Sequence, residues 1–258
     1  MLLVRSFLFN VAFFLNTLLW LILLLPLLAT SHETFMRGPK LWARSSLWLL
    51  RVIAGTKVEF RGLERIPPGG LLVAAKHQSA WETFALVPLF EDPTFILKRE
   101  LMWIPIFGWY LAKARCVAID RRAGSQALAQ MNTRARAEVQ AGRQIFIFPE
   151  GTRKPPGARP AYKYGVAHLY ENLGVPCLPV ALNAGLYWPR RAFIRRPGTI
   201  RVEILEPIPP GMPRDAFFAL LQAQIEAASN RLLAEAEAEL GIVAPGRTAA
   251  ASSSSSSP

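Results

Sequence analysis

Leu71-Leu72-Val73-Ala74-Ala75-Lys76-His77-Gln78-Ser79-Ala80-Trp81-Glu82-Thr83 passes from an apolar run into a polar turn that carries a histidine and an acid. A short continuous apolar run bounded by turn residues suits a strand buried on both faces, and Pro67-Pro68-Gly69-Gly70 supplies the turn before it. On a single α-helix, side chains five positions apart point ~140° from each other. His77 and Glu82 can therefore meet only if His77 sits in the turn after the strand and Glu82 on the first turn of the next helix. There a carboxylate accepts from one imidazole nitrogen and leaves the other as a base. Read alone, the stretch fits a solvated turn with neighbouring charges equally well.

Working outward, the rest of the chain supplies similar short runs. Lys57–Arg61 alternates polar and apolar as a half-buried strand. Thr94–Leu97, Val117–Ile119, Gln144–Phe148, Val175–Leu182 and Ile200–Leu205 read as further strands. Helices are predicted over Thr83–Phe90, Gln126–Ala141 and Lys163–Leu173. A last one, Pro213–Leu240, carries Phe217, Leu221, Ile225, Ala228 and Leu232 at helical spacing. Alternating strands and helices indicate an α/β class: a single globular domain, residues 56–240, with a largely parallel mixed sheet flanked by helices. The tail from residue 241, ending in a serine run, reads as disordered. Ligands of such sheets gather at the carboxyl ends of strands. His77, Lys98, Arg121 and Arg153 all follow predicted strand ends, which is the first non-local sign that they converge.

Residues 1–55 have a different character. From Phe7 to Ala29 the chain is almost purely apolar, long enough to cross a ~30 Å hydrocarbon core as a helix. A cleaved signal peptide and a helix that dips into one leaflet and returns are the alternatives. In the following segment Leu41-Trp42, Leu47–Leu50 and Val52-Ile53 alternate with Lys40, Arg44 and Arg51, an amphipathic, basic, tryptophan-bearing pattern suited to a membrane interface. Arg37, Lys40, Arg44, Arg51 and Lys57 place this side towards the cytoplasm, so the expected location is the inner membrane with the globular domain on its cytoplasmic face. Leu101–Ala114 is apolar and aromatic but broken by Pro105 and Gly108. It fits either core or a lipid-facing patch.

Composition narrows the partner. The formal charge of +12 points to an anionic partner, and a hydrophobic content of 52% favours a membrane over nucleic acid. The two cysteines, Cys116 and Cys177, lack metal-ligand spacing and read as small core residues. A GxSxG elbow, a His/Cys cluster and a phosphate-binding glycine loop are all absent from the sequence. Neither a metal nor a cofactor is expected. Ser79 lacks the elbow context of a nucleophile, and His32 and His168 read as an interfacial and a helix histidine. The better fit is a histidine base held by Glu82, with several cations for a phosphate.

Four ordered blocks carry a resemblance: His77-x-x-x-x-Glu82, Val117-Ala118-Ile119-Asp120-Arg121, Phe148-Pro149-Glu150-Gly151-Thr152-Arg153, and Val175-Pro176-Cys177-Leu178-Pro179-Val180. Together they resemble the glycerophospholipid acyltransferases, in particular the bacterial members that acylate 1-acyl-glycerol-3-phosphate, over roughly Lys57 to Leu205. The resemblance implies an α/β fold and an N-terminal pair of membrane-docking helices. It implies that His77 takes the proton from the sn-2 hydroxyl of lysophosphatidic acid, which attacks the thioester of an acyl-CoA or acyl-carrier protein directly. Glu82 would hold His77, and Arg153 would bind the acceptor phosphate with Lys98 and Arg121. Glu150, Gly151 and Thr152 would position the acceptor or stabilise the loop. Other acceptors, such as glycerol-3-phosphate or a lyso-aminolipid, and a non-catalytic membrane-binding module are the alternatives. Two departures stand out: Glu82 where the family usually has Asp, and Cys116 and Ala118 where it often has Gly and Phe.

Overall fold

The computed structural model describes residues 1–120, 124–159 and 161–246. Its centre is a seven-stranded sheet formed by β1 (Thr56–Arg61), β2 (Leu71–Ala75), β3 (Pro93–Lys98), β4 (Val117–Ile119), β5 (Gln144–Ile147), β6 (Cys177–Leu182) and β7 (Gly198–Ile204). The spatial order is β1-β7-β6-β2-β5-β3-β4. Strands β6, β2, β5, β3 and β4 run parallel, whereas β7 is antiparallel to β6 and parallel to β1. The sheet is thus largely parallel and mixed, as the sequence pattern indicates.

Every residue of β2 is buried, because the sheet is covered on both faces. Alternate side chains serve opposite layers. Leu72 and Ala74 pack with α5 (Gly124–Gln140), α6 (Gly165–Leu173) and α8 (Arg214–Leu240), through Met131, Leu169, Leu221 and Ile225 among others. All five residues singled out along Pro213–Leu240 are buried there. Leu71, Val73 and Ala75 face the other layer with Trp81, Phe84 and Trp188.

That second layer is completed by the N-terminal segment. Helix α1 (Leu2–Leu23) and a 3₁₀ turn (Pro26–Ala29) lead to α2 (His32–Leu49), which continues as one π turn (Leu50–Ala54). Ser31 caps α2 by accepting from the Thr34 N–H, and Gly55 ends the segment at φ 77°, a conformation glycine adopts without strain. Phe9, Ala43, Leu50 and Ala54 belong to the same buried cluster as β2. The predicted helix over Thr83–Phe90 is shorter than its pattern indicates: α3 covers Glu82–Ala85, and a 3₁₀ turn takes Val87–Leu89. Pro88 has no N–H to donate, which favours the break.

The broken segment Leu101–Ala114 forms a 3₁₀ turn (Arg99–Trp103) and α4 (Phe107–Lys113). Tyr110 turns inward against Leu24, Phe35 and Met36, while Leu101, Trp103, Ile104, Phe107 and Trp109 are exposed. The segment is therefore part core and part apolar surface. Cys177 is buried, with its thiol pushed up by desolvation, and Cys116 is half-buried. His32 is tied to Asp92 and the Lys113 carbonyl, and His168 meets Tyr164 edge-on.

Candidate active site

Strand β2 makes its last sheet contact through the Lys76 N–H, which donates to the Val180 carbonyl at 2.9 Å. The chain then turns, and three separate contacts hold His77. Its N–H donates to Glu150 Oε1 at 3.1 Å. Its carbonyl accepts from the Lys154 N–H at 2.9 Å. Its Nδ1 lies 2.9 Å from Glu82 Oε1. The imidazole also stacks on Phe148, with ring centroids 4.1 Å apart and planes at 19°. An ionised carboxylate only accepts, so Nδ1 carries the proton and Nε2 keeps its lone pair in the neutral ring. Nε2 has no protein partner among the described residues, and the side chain is 14% exposed.

Glu82 is fully buried at the start of α3. Besides His77, its Oε1 accepts from the backbone N–H groups of Gln78 and Ser79, both at 2.7 Å. The longer acid thus reaches back across the turn, where its side chain braces both the histidine and the backbone that carries it. Ser79 is buried, and its hydroxyl oxygen accepts from the Trp81 N–H. Gln78 Oε1 accepts from the Gly185 N–H at 3.0 Å, tying the turn to α7 (Ala184–Tyr187). A Cβ on Gly185 would meet Pro156 at 2.6 Å and Gln78 at 2.9 Å, so this approach needs a glycine.

The loop after β5 brings Glu150–Arg153 to the same carboxyl edge. Gly151 has φ 65°, the left-handed turn that sends the loop back over His77. Thr152 is exposed and Arg153 is half-buried. The Arg153 guanidinium has no hydrogen-bond or carboxylate partner among the described residues, while its carbonyl accepts from Arg190 Nη1 at 3.1 Å. Lys98 ends β3 at this edge, exposed and likewise without a partner among the described residues. Arg121 follows β4 in sequence and lies outside the described residues. The edge therefore carries a histidine with one open nitrogen, together with Lys98 and Arg153, neither of which has a counter-charge among the described residues, an arrangement that can take a proton beside a bound anion.

Glu150 occupies a different place from its loop neighbours. It is 1% exposed and faces the back of the site, towards the His77 N–H and Lys76. Burial pushes its carboxyl above the ordinary value, against the opposing charge of Lys76. Lys76, Tyr162 and Glu226 complete this group; no motif marks them, and the one signal in the sequence is a lysine placed directly after a buried strand. Two surface clefts, one beside Cys116 and Arg134 and one beside His32 and Lys40, contain none of the strand-end residues.

Comparisons with known proteins place relatives of the chain among acyltransferases. Residues 57–183 match the family model described as Acyltransferase. The chain is 45% identical over 163 residues to the 1-acyl-sn-glycerol-3-phosphate acyltransferase of Pseudomonas aeruginosa, covering 63% of each chain, so the match spans somewhat under two thirds of that relative. It is 28% identical over 212 residues to the mouse 1-acyl-sn-glycerol-3-phosphate acyltransferase alpha, covering 79% of this chain and 72% of the mouse protein. Among solved structures, the 1-acyl-sn-glycerophosphate acyltransferase of Thermotoga maritima superposes with a TM-score of 0.75 at 21% identity, over 90% of this chain and 99% of that one. The matched span 57–183 holds His77, Glu82, Lys98, Arg121 and Arg153 in one continuous segment, so that span is an acyltransferase-family domain.

Proposed function

We propose that this protein transfers an acyl chain from a thioester donor, acyl-CoA or acyl-carrier protein, to the sn-2 hydroxyl of 1-acyl-sn-glycerol-3-phosphate, giving phosphatidic acid. The observation that carries the reading is the His77–Glu82 contact of 2.9 Å, which commits Nδ1 and leaves Nε2 open, with Arg153 next in the chain to Lys154, whose N–H bonds the His77 carbonyl. The names of the relatives support the acceptor.

In this mechanism Arg153 holds the acceptor phosphate as a bidentate pair, assisted by Lys98 and Arg121. His77 Nε2 takes the sn-2 hydroxyl proton as the oxygen attacks the thioester carbonyl. The C–S bond then breaks, and the imidazolium returns its proton to the departing thiolate. Glu82 supports the positive charge that forms on the ring and keeps Nδ1 protonated. Gly151 and Thr152 shape the loop over the acceptor. The oxygen attacks the donor directly, and an acyl-enzyme plays no part.

The acceptor is a lipid, so the site belongs at a membrane surface. Both ends of α1 are bound to the domain. At the start, Ser6 bonds the Arg195 backbone and Asn10 donates to the Phe193 carbonyl. At the end, the Tyr110 hydroxyl donates to the Leu21 carbonyl. A helix of ~33 Å fixed at both ends lies along the domain rather than projecting from it. Its outer residues Leu3, Phe7, Val11, Phe14, Leu18 and Ile22 are exposed at helical spacing, and Trp103 and Trp109 add to the apolar surface. This arrangement favours insertion into one leaflet, from the cytoplasmic side given the basic residues of α2.

The test is an assay of purified full-length protein on phospholipid vesicles with lysophosphatidic acid and a panel of acyl donors. Phosphatidic acid is the expected product, and His77→Ala should lower kcat by about 10²–10⁴-fold. Full activity in that variant, or acylation of glycerol-3-phosphate instead, would refute the reading.

A further inference from the structure

Lys76 is a buried lysine adjacent to the candidate base. It is 4% exposed. Its ammonium lies 2.6 Å from Glu226 Oε1 on α8 and 3.4 Å from Glu150 Oε1 on the loop after β5. The Tyr162 hydroxyl donates to the same Glu226 oxygen at 2.8 Å, and the Tyr162 ring centroid is 5.8 Å from Nζ. Two carboxylates, one cation and one phenol are thus gathered beneath the site, and Lys76 is the only cation among the described residues within ion-pair distance of Glu150.

We propose that Lys76 is a positioning residue: its ammonium supplies the counter-charge that lets buried Glu150 stay ionised and hold the His77 backbone N–H. The proposal rests on the reading of His77 as the base. Lys76 itself is too deeply buried to touch substrate, so it acts through Glu150.

The physical case is an imbalance around Glu150. Its Oε2 is buried without a partner among the described residues, so its donors are the His77 N–H and Lys76 alone. The groups that face it are Lys76 and the His77 N–H after β2, Glu226 on α8 and Tyr162 ahead of α6. Burial raises its proton affinity and Glu226 raises it further, while Lys76 and the His77 N–H lower it. Removing Lys76 leaves burial and Glu226 opposed by one backbone N–H. The carboxyl then takes up a proton at higher pH, and a neutral acceptor holds the His77 N–H less strongly than a charged one.

The experiment compares Lys76→Met, Glu150→Gln, the double variant and His77→Ala, reading kcat and acceptor KM from pH 5.5 to 9.5 together with Tm. Lys76→Met should lower kcat about tenfold at pH 7, with KM within about twofold, and the loss should shrink as pH rises and Glu150 ionises again. Glu150→Gln should lower kcat by a similar factor at every pH, because an amide does not titrate. The double variant should match Glu150→Gln within about twofold, since one route carries both effects. A Lys76→Met loss that is equal at all pH values, or that multiplies with the Glu150→Gln loss, overturns the proposal. If Lys76→Met does not fold, Glu150→Gln decides alone: wild-type kcat in that variant also overturns it. Undiminished activity in His77→Ala would instead remove the reading of the base itself.

Discussion

Glu82 Oε1 sits 2.9 Å from His77 Nδ1 and, with the same oxygen, receives the N–H groups of Gln78 and Ser79 at 2.7 Å. One carboxylate oxygen thus orients the imidazole and closes the turn that presents it. Glu82→Gln keeps the shape but removes the charge that supports the imidazolium. Glu82→Asp keeps the charge but shortens the reach. We expect Gln to cost about 10²-fold in kcat and Asp about tenfold, measured at saturating acceptor. The reverse order would mean that the turn geometry, rather than the charge, is what catalysis requires.

The Arg153 guanidinium meets no carboxylate among the described residues, which leaves it free for the acceptor phosphate proposed above. Arg153→Ala should depress kcat/KM for the acceptor by about 10²-fold and leave KM for the thioester donor unchanged. Arg153→Lys should fall between the two, because a lysine cannot make the bidentate pair. An unchanged acceptor dependence in Arg153→Ala would assign the phosphate to other cations at this edge.

The two faces of α1 should respond differently to substitution. Phe9 is fully buried and packs edge-on to Trp188 at 5.3 Å. Phe9→Ala should destabilise the fold by about 3 kcal/mol, seen as a lower Tm in detergent. Phe14 is 68% exposed on the outer face. Phe14→Glu should leave Tm in detergent unchanged but reduce co-sedimentation with vesicles. Deleting residues 1–55 would uncover Phe84 and Trp188, so a soluble, fully active truncation is the outcome that contradicts this account.

Acid should loosen the opposite edge of the sheet. Arg143, 2% exposed, bonds both oxygens of Asp92 at 2.8 and 3.0 Å, and His32 on α2 lies 2.9 Å away. Burial pushes the Asp92 carboxyl up, but the hydrogen bonds and charges of Arg143 and His32 outweigh it and hold it below its ordinary value. A depressed carboxyl contributes stability above the ordinary carboxylate range and loses it as pH falls through its folded value. Asp92→Asn should therefore cost about 2 kcal/mol at pH 7, and the gap to wild type should close below about pH 4 in pH-dependent unfolding. A gap constant with pH would show that the carboxylate charge is not what ties α2 to the sheet.

Much of the fold was legible because buried parallel strands leave continuous apolar runs. Leu71–Ala75, Val117–Ile119 and Gln144–Ile147 all form strands where their runs stand. The His77–Glu82 meeting was legible for a different reason: the helical period forbids five-apart contacts within one helix, which left a single local geometry. Glu150 was harder. The loop sequence groups it with Gly151, Thr152 and Arg153, yet the left-handed turn at Gly151 separates it from them, and it faces back towards Lys76. Its direction depends on Lys76 and the His77 N–H, partners on the distant turn after β2 that no local pattern announces.

Hydropathy and strand spacing were enough to indicate an apolar N-terminal helix, an α/β domain, and His77 and Lys98 at the carboxyl ends of its strands. They could not orient α1, because a helix apolar on every side has no face that hydropathy distinguishes. Its few polar residues settle the matter only through distant partners. Asn10 reaches Phe193, Asn16 reaches Ser45 and Ser46, and Thr17 accepts from Trp42. These contacts turn one side of α1 onto the domain and leave the other apolar side outward. Lys76 is the same case in miniature: as a residue type it belongs at the surface, and only the carboxylates brought beneath it from two distant segments make its burial possible.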